Sequence, residues 1–409
     1  MRILLYEHIC SGGYIGEPLS SSLLCEGFSM LRGLAEDFKA AGHEVTVLLD
    51  ARIARFNPPL QADNIRQVNK LEEFEQVLKA ALSWAEAAYM VAPESEGILH
   101  YLTKRVESSN ARSLNCSASA IAQASDKAEV AEHAKQLGLN FPKTIQLNPS
   151  DSIEAMAETV ENEVGFPAVI KPVSSAGCGG LSVVQEAFEV EAAVDKIFGE
   201  AGNVGVCAQE FVQGVPASVS LLCRGGEVLP LSLNLQDLTL ASPEGESNYN
   251  GGLVPFDYPL KAEAFEAAKR LVQSFRGLFG YVGVDVILGT QKVYVMEVNP
   301  RLTTSYVGLR KASKLNIADA LLKEEAASNV EFNGVCCFSK VPIERPIIFA
   351  WQNFCALEAL VSPPFPLYGQ ETSYGMLRSC GATTEQALQQ MHKAKEDLKD
   401  IWEKGQKPW

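Results

Sequence analysis

The first third of the chain alternates short apolar stretches with longer amphipathic ones. The apolar stretches have the length and composition of strands, and the amphipathic stretches repeat their apolar residues at helical spacing. The pattern predicts strands at residues 2–8, 44–50 and 87–93 and helices at residues 20–41, 71–88 and 95–106. Strands that alternate with helices in this way are typical of an open parallel sheet. We therefore expect an α/β domain at residues 1–117.

From residue 118 onward, runs of strands are interrupted by single helices, which is typical of α+β folds. The pattern predicts strands at residues 142–147, 166–172, 181–187, 206–212, 218–224 and 227–235 and helices at residues 126–137, 150–163, 188–200, 261–279 and 384–403. A chain of 409 residues is too long for one ordinary core. The expected fold class is α/β with α+β subdomains, and we expect further units at residues 118–215, 216–330 and 331–409.

A predicted β-hairpin near residue 290 carries polar side chains on otherwise apolar strands. The sequences GVDVIL and KVYVMEV flank a Gly-Thr-Gln turn, with Asp285 in the first strand and Glu297 and Asn299 in the second. Residues two apart on a strand share a face, and the hairpin can bring Asp285 beside them. Such an oxygen cluster suits Mg²⁺ and is a poor match for zinc. The alternative is a solvated acidic face, although carboxylates in apolar strands are costly unless paired or metal-bound.

A second group of residues has the chemistry of a nucleotide site. Lys171 ends an apolar strand, Lys127 starts a predicted helix, and the loop 174–180 reads Ser-Ser-Ala-Gly-Cys-Gly-Gly. Glycines in such a loop let backbone N–H groups approach phosphate oxygens. The extended segment 209–212 can read an adenine edge through its backbone. The residues predicted to contact ATP are Lys127, Lys171, Ser174, Ser175, Gly177, Gly179, Gly180, Gln209, Glu210, Phe211 and Val212.

Composition and charge narrow the class of protein. Hydrophobic residues make up 47% of the chain and charged residues 21%, as in ordinary globular domains. The formal charge of −15 argues against a nucleic-acid partner, and no signal peptide or membrane-length apolar run is recognisable. Ten cysteines are scattered without a Cys-x-x-Cys pair, so we expect no zinc site, no disulfide framework and a cytoplasmic location. The expected partners are small molecules.

Taken in order, these motifs resemble those of the ATP-grasp superfamily. The resemblance covers about residues 1–330 and rests on Asp126-Lys127, Ile170-Lys171-Pro172, the loop 174–180, Gln209 to Gly214, and Asp285…Glu297-x-Asn299-Pro-Arg301. It implies an ATP-grasp fold, in which two α+β subdomains clamp ATP behind a pre-ATP-grasp domain. It implies that Asp285, Glu297 and Asn299 hold Mg²⁺ or Mn²⁺. It also implies that Arg301 and Lys171 are catalytic, with Arg301 stabilising charge on a phosphorylated carboxylate.

Two positions depart from the pattern of that superfamily. Many members carry an acid about four residues after the adenine-binding segment, where this chain has Val215-Pro216-Ala217. Several carboxylate ligases carry an Arg two residues before the metal-binding Asp, where this chain has Gly283. Ribose recognition is therefore left open. The second departure leaves Arg301 to act alone or together with Arg310.

The resemblance implies an ATP-dependent carboxylate–amine ligase that works through an acyl phosphate. The segments ILLYEHICSGG and QEFVQGVPASVSLL are similar to ligases that join L-glutamate to tyramine in methanofuran biosynthesis. One alternative is an ATP-grasp phosphotransferase or carboxylase-type enzyme that acts on another small carboxylate. Another is a non-catalytic nucleotide-binding regulator, which has no need for a full set of metal and phosphate ligands.

Substrate recognition is the least readable part of the sequence. Glu7 ends a buried strand, where an acid is costly, and it can bind an ammonium group. The other candidates lie where ordinary turn or surface chemistry explains them at least as well. They are Ser11, Gly12 and Gly13 after the first strand, Tyr249 in the predicted loop 248–252, and Thr303 and Thr304 after Arg301. The segment 331–409 resembles the tail of biotin-dependent carboxylase folds, and we expect it to pack on the catalytic region or to form a homodimer contact.

Overall fold

The computed structural model describes residues 1–173, 178–201, 204–323, 330–344 and 350–405, which fold into three β-sheets flanked by helices. The N-terminal sheet is parallel, with strand order β3-β2-β1-β4-β5. Its strands are β1 (Arg2–Glu7), β2 (Glu44–Asp50), β3 (Asn64–Val68), β4 (Ala87–Val91) and β5 (Arg112–Ser113). The helices around it are α1 (Ser21–Ala40), α2 (Ala51–Ala54), α3 (Leu71–Trp84) and α4 (Ile98–Glu107), the last preceded by a 3-10 turn, Ser95–Gly97. The predicted parallel sheet is confirmed.

A small antiparallel sheet follows two connecting helices, α5 (Ala118–Ala124) and α6 (Lys127–Gln136). Its strand order is β6-β9-β7-β8. The strands are β6 (Thr144–Leu147), β7 (Ala168–Pro172), β8 (Ser182–Val184) and β9 (Val206–Glu210), and the helices are α7 (Ile153–Glu163), the 3-10 turn Ala187–Glu189 and α8 (Val190–Ala201). Val160 and Val194 on the helices pack against Ile170 and Val184 on the strands, so this sheet has its own apolar core.

The remaining strands of the described chain form one large sheet with the order β14-β13-β10-β11-β12-β15-β17-β16. Its strands are β10 (Val215–Arg224), β11 (Glu227–Thr239), β12 (Asn248–Val254), β13 (Gly280–Leu288), β14 (Val293–Asn299), β15 (Val335–Glu344), β16 (Leu360–Ser362) and β17 (Thr372–Gly381). The accompanying helices are α9 (Lys261–Gln273), α10 (Tyr306–Ala312), α11 (Ile317–Ala320), α12 (Trp351–Ala356) and α13 (Thr384–Gly405). Strands from both sides of residue 331, the predicted start of the last unit, belong to this sheet. The predicted domain boundaries stay predictions.

Strand β12 corrects the expectation of a loop at residues 248–252. Its Asn-Tyr-Asn-Gly-Gly sequence has the composition of a turn. The strand nevertheless pairs with β11 on one side and β15 on the other. Gly251 has a φ of +135°, and a Cβ there would lie 2.1 Å from the carbonyl oxygen of Phe338. The glycine is therefore required by the close approach of β15 and does not mark a turn.

Helix ends also differ from the expectation at two places. The helix predicted at residues 261–279 ends at Gln273, and the chain then passes through Gly277, whose φ is +92°. The helix predicted at residues 71–88 ends at Trp84, because Ala87 already belongs to β4. No helix in the described ranges is both long and apolar enough to cross a bilayer.

A disulfide between Cys336 and Cys380 contradicts the expectation that the cysteines form no disulfides. The two residues lie directly opposite each other on β15 and β17. They are 44 positions apart in the sequence, so their spacing carries no recognisable motif. Only the register of two antiparallel strands brings them together.

The C-terminal segment packs on helix α1 of the N-terminal unit. The rings of Phe28 and Phe365 lie 5.1 Å apart. Arg32 Nη1 donates hydrogen bonds to the carbonyl oxygens of Leu360 and Val361, over 3.1 Å and 3.0 Å. This packing fixes one face of α1. The opposite face of the helix lines the cavity described next.

Candidate active site

A cavity of about 330 Å³ lies where the three sheets approach each other. The carboxyl ends of β1 and β4 open into it, as expected for ligand sites of open parallel sheets. Strands β7 and β9 supply a second wall, β13 and β14 a third, and helix α1 a fourth. Of the residues predicted from the sequence, the cavity is lined by Glu7, Lys127, Lys171, Gln209, Tyr249, Asp285, Glu297, Asn299, Arg301, Thr303 and Thr304.

The predicted oxygen cluster forms at the hairpin of β13 and β14. Asp285 lies opposite Glu297 across the two strands, and Asn299 Nδ2 donates to Asp285 Oδ2 over 3.1 Å. Gln236 on β11 donates to the other carboxylate oxygen over 3.0 Å. Burial, and then the charge on Glu297, raise the pKa of Asp285. The charge of Lys127 holds the pKa of Glu297 below its ordinary value.

This donor set fits a hard divalent cation. Asp285 and Glu297 face each other at a partly buried position, which is unfavourable unless positive charge lies between or beside them. Within the described ranges no three His, Cys, Asp or Glu side chains gather at one point. The protein ligands would therefore be two carboxylates and the Asn299 amide, and Mg²⁺ commonly completes such a set with water and phosphate oxygens.

Two lysines stand beside the oxygen cluster. Lys127 Nζ donates to Glu297 Oε2 over 3.1 Å, and Asp126 caps the helix that presents it by accepting from the N–H groups of Ala128 and Glu129. Lys171 Nζ donates to Gln209 Oε1 over 2.8 Å, across β7 and β9. Burial, and then the charge on Lys127, lower the pKa of Lys171. Two partly buried cations side by side repel each other, and an anion between them would relieve that repulsion.

Arg301 lies at the junction between the hairpin and the N-terminal unit. Its Nη2 donates to Glu94 Oε2 over 2.9 Å, and its Nε lies 2.9 Å from Glu94 Oε1. Both side chains are 16% exposed. Arg310, considered as its helper, is paired with Asp37 and Glu36 and does not line the cavity. Of these two arginines, Arg301 is the one that the fold presents to the cavity.

Comparison with known proteins agrees with this arrangement. Residues 124–305 match the model of the ATP-grasp domain, and residues 43–121 match that of the pre-ATP-grasp domain. The chain is 31% identical over 332 residues to the tyramine–L-glutamate ligase of Methanocaldococcus fervens, which covers 80% of this chain and 95% of that protein. The chain belongs to the ATP-grasp family. It is also 28% identical over 335 residues to the tyramine–L-glutamate ligase of Methanocaldococcus jannaschii, over 81% of this chain and 91% of that protein.

Solved structures show the same ATP-grasp fold. One is the biotin carboxylase domain dimer of 2-oxoglutarate carboxylase from Hydrogenobacter thermophilus, solved with MgADP, ADP and bicarbonate. It superimposes with a TM-score of 0.71 at 14% identity, over 97% of this chain and 89% of that chain. At this identity the likeness concerns the fold alone. The predicted ATP-grasp fold class is confirmed.

Some residues predicted to contact ATP do not line the cavity of this ATP-grasp chain. Glu210 Oε2 accepts from the N–H of Lys143, and the N–H of Phe211 donates to the carbonyl of Pro167. These two residues, Val212, Gly179 and Gly180 lie outside the cavity wall. Ser174, Ser175 and Gly177 lie outside the described residues. The ATP contacts predicted for all of these residues stay predictions.

The Ser11-Gly12-Gly13 loop lies beside the cavity without lining it. Ser11 Oγ donates to the carbonyl of Leu48 over 2.7 Å and accepts from the N–H of Glu7 over 3.2 Å. Gly13 packs on the ring of His8, where a Cβ would come within 2.2 Å. The loop therefore fixes the end of β1, and through it the position of Glu7.

Three cavity-lining residues with a carboxylate or amide side chain were not found from the sequence, namely Glu26, Glu94 and Gln236. Glu94 carried a readable signal, because it follows a buried strand of a parallel sheet by three residues. Gln236 interrupts an apolar strand, which is a weaker signal. Glu26 lies within a helix, where a charged residue is ordinary, so nothing in the sequence marked it.

Proposed function

We propose that this ATP-grasp protein is an ATP-dependent carboxylate–amine ligase, and that its substrates are L-glutamate and tyramine. The observation that carries the proposal is a single cavity that joins a phosphate-binding end to an acidic, partly apolar end. The first end holds Lys127, Lys171 and the oxygen cluster. The second holds Glu7 and helix α1. The two tyramine–L-glutamate ligases to which the chain is similar support the choice of substrates.

At the phosphate end, Lys127 and Lys171 neutralise the phosphate oxygens of ATP. Asp285, Glu297 and Asn299 would hold Mg²⁺, which would supply positive charge beside the phosphate oxygens. Lys127 has to move from Glu297 to phosphate or to share its three donors between them. Phosphoryl transfer depends mostly on such positioning and charge neutralisation.

The proposed reaction has two steps. An oxygen of the substrate carboxylate attacks the γ-phosphorus, the bond to the β-phosphate oxygen breaks, and ADP leaves an acyl phosphate behind. The neutral amine nitrogen then attacks the acyl carbon, one of its protons passes to the departing phosphate, and phosphate leaves as the amide forms. Arg301, held by Glu94, stabilises the negative charge of the acyl phosphate. The hydroxyl groups of Thr303 and Thr304 face the same space.

Glu7 is the residue that we assign to the amine before it reacts. Among the described residues it forms no salt bridge, whereas Glu94 is paired with Arg301. Its carboxylate accepts the N–H of Cys10 over 2.9 Å, and burial raises its pKa to about 7. An uncompensated, buried carboxylate favours a cation beside it. An ammonium group that reaches this end of the cavity supplies that cation.

The test is ADP release with ATP, Mg²⁺ and L-glutamate, with and without tyramine. We expect release to depend on the amine and to be lost in Lys171→Ala. Lys143→Ala is the matched control, since Lys143 is exposed, pairs with Glu163 and lies outside the cavity. ADP release that is indifferent to every amine would contradict the proposal in favour of phosphoryl transfer. No release with any carboxylate and amine would contradict a ligase altogether. A cytoplasmic location is part of the proposal, because ATP is supplied there.

A further inference from the structure

The wall formed by helix α1 presents a carboxylate that has no part in the reaction outlined above. Glu26 lines the cavity, and its side chain is 15% exposed. Lys340 Nζ donates to Glu26 Oε1 over 2.8 Å, and Thr304 Oγ1 donates to Oε2 over 3.1 Å. Lys340 also donates to Ser22 Oγ over 2.6 Å. Helix α1, strand β15 and the segment after Arg301 thus hold this carboxylate in one position.

The charge on Glu26 is compensated, unlike that on Glu7. Lys340 is 5% exposed at its side chain and does not line the cavity, so its charge acts on Glu26 and not on a ligand. A carboxylate that already has an ammonium at 2.8 Å attracts a second cation weakly. Each carboxylate oxygen has two acceptor sites, and Lys340 and Thr304 each fill one. Glu26 is therefore suited to accept a hydrogen bond from a neutral donor.

The surroundings of Glu26 on the cavity side are apolar. Leu23 and Met30 lie three positions before and four positions after it, which places all three on one face of α1. Both line the cavity, as does Ile9. A flat apolar group can lie against these side chains with a hydroxyl directed at the carboxylate.

This pocket is continuous with the reacting end of the cavity. Burial raises the pKa of Tyr249, and the charges on Glu26 and Asp285 add to that effect. Tyr249, Glu26 and Asp285 all line the one cavity. A molecule that extends from Glu26 towards the oxygen cluster would pass along Tyr249.

We propose that Glu26 is the specificity-determining residue for the amine substrate, accepting a hydrogen bond from a hydroxyl group carried on an aromatic ring. Lys340 acts as a positioning residue that holds Glu26 and neutralises its charge. The inference rests on the proposed ligase function for the identity of the amine. A site built to accept such a hydrogen bond discriminates strongly against an analogue that lacks the hydroxyl.

The test is calorimetric binding of three amines to the ADP-bound protein. The amines are tyramine, phenethylamine, which lacks the hydroxyl, and 4-methoxyphenethylamine, which keeps the oxygen but cannot donate. We expect the wild type to bind tyramine about 10- to 100-fold more tightly than either analogue, the range for a hydrogen bond to a charged group. The double variant Glu26→Leu with Lys340→Met removes both charges together, so no buried ion is left unpaired. In this variant the preference for tyramine should vanish, while phenethylamine binds as well as before.

Each other outcome overturns the inference. Equal binding of the three amines by the wild type excludes a hydroxyl acceptor, and retained preference in the double variant excludes Glu26. A weaker affinity for L-glutamate with an unchanged preference among amines would assign Glu26 to the other substrate. If the double variant does not fold, Glu26→Ala, which also lacks the acceptor oxygen, replaces it, with the same loss of preference expected. Because binding is measured without turnover, a failure of the ligase proposal appears separately, as absent amine-dependent ADP release.

Discussion

Asp285 shows how single residues of the site are arranged around the divalent cation that we propose there. Its two oxygens accept hydrogen bonds from Gln236 and Asn299, which are neutral, while its nearest charged neighbour across the strands is another carboxylate. We expect Asp285→Asn to lower the rate of ADP release about 100-fold, a typical cost of removing electrostatic stabilisation of a transition state. The Mg²⁺ concentration for half-maximal rate should rise as well.

Asp237 offers the control for this change, because it is an exposed acid on β11, one residue from Gln236. Asp237→Asn should leave the rate and the Mg²⁺ dependence unchanged. The rates are measured over a titration of Mg²⁺ at saturating ATP. An Asp285→Asn protein with the wild-type Mg²⁺ dependence would show that the hairpin is not the metal site.

Glu7 gives a pH dependence of stability whose sign follows from its burial. An unfolded chain ionises this group near 4.5, whereas burial raises its pKa to about 7 in the fold, against the smaller influence of Cys10 and Arg301. Between these values the folded state binds more protons, so the free energy of unfolding falls as the pH rises. The loss at this residue is about 3 kcal/mol, at about 1.4 kcal/mol per pH unit. Glu7→Gln removes the ionisable group and should abolish that loss.

Urea denaturation of the wild type and of Glu7→Gln at pH 4.5 and pH 8 measures the effect. From pH 4.5 to pH 8, the free energy of unfolding of the wild type should fall relative to that of Glu7→Gln. Glu44→Gln, at the exposed start of β2, is the control and should follow the wild type. A constant difference between wild type and Glu7→Gln at both pH values would mean that Glu7 ionises alike in the folded and unfolded chain.

At the scale of an element, helix α1 carries a glycine that its position requires. A Cβ on Gly27 would lie 2.4 Å from Glu7 Oε2, so the side-chain carboxylate of Glu7 packs directly on the helix backbone. Replacing a helical glycine by alanine ordinarily stabilises by about 1 kcal/mol. We expect Gly27→Ala to destabilise instead and to raise KM for the amine, because Glu7 must move.

Gly199 in helix α8 is the matched comparison for Gly27. A Cβ there meets nothing within 4 Å, so Gly199→Ala should raise the unfolding free energy by about 1 kcal/mol. Thermal melting of both variants, together with KM for tyramine and for ATP, separates the effects. A stabilised Gly27→Ala protein with unchanged kinetics would contradict the close packing of Glu7 on α1.

The sequence pattern predicted elements well where one apolar period was sustained. Strand β2 was predicted at residues 44–50 and is found there, and the hairpin of β13 and β14 was predicted with its polar residues on the correct strands. Strands β3 and β5 were missed because one is mostly exposed and the other has two residues. Strand β12 was missed because its Asn-Tyr-Asn-Gly-Gly segment has the composition of a turn. That segment includes Gly251, which the close approach of β15 requires.

At the scale of the whole molecule, the site could be predicted in part because the lysines and the hairpin cluster belong to ordered local motifs. Lys127, Lys171 and the hairpin cluster come together as those motifs imply. Glu26, the pairing of Glu94 with Arg301, and the disulfide could not be predicted, since each depends on a partner that lies far away in the sequence. Glu26 meets Lys340 across 314 positions, and Glu94 meets Arg301 across 207. Such pairs follow only from how the three sheets meet.

The same strand that carries Lys340 is fastened by the Cys336–Cys380 disulfide, and this gives a prediction for the whole fold. Cys336 and Lys340 are four residues apart on β15, hence on the same face. A cross-link that spans 44 positions lowers the entropy of the unfolded chain by an amount worth about 4 kcal/mol at most. We expect a reductant to lower the urea midpoint of the wild type and to weaken tyramine binding. Cys380→Ser should have the lower urea midpoint and the weaker tyramine binding without any reductant, and adding reductant should change neither. Equal urea midpoints of the wild type with and without reductant would contradict the role of this bond.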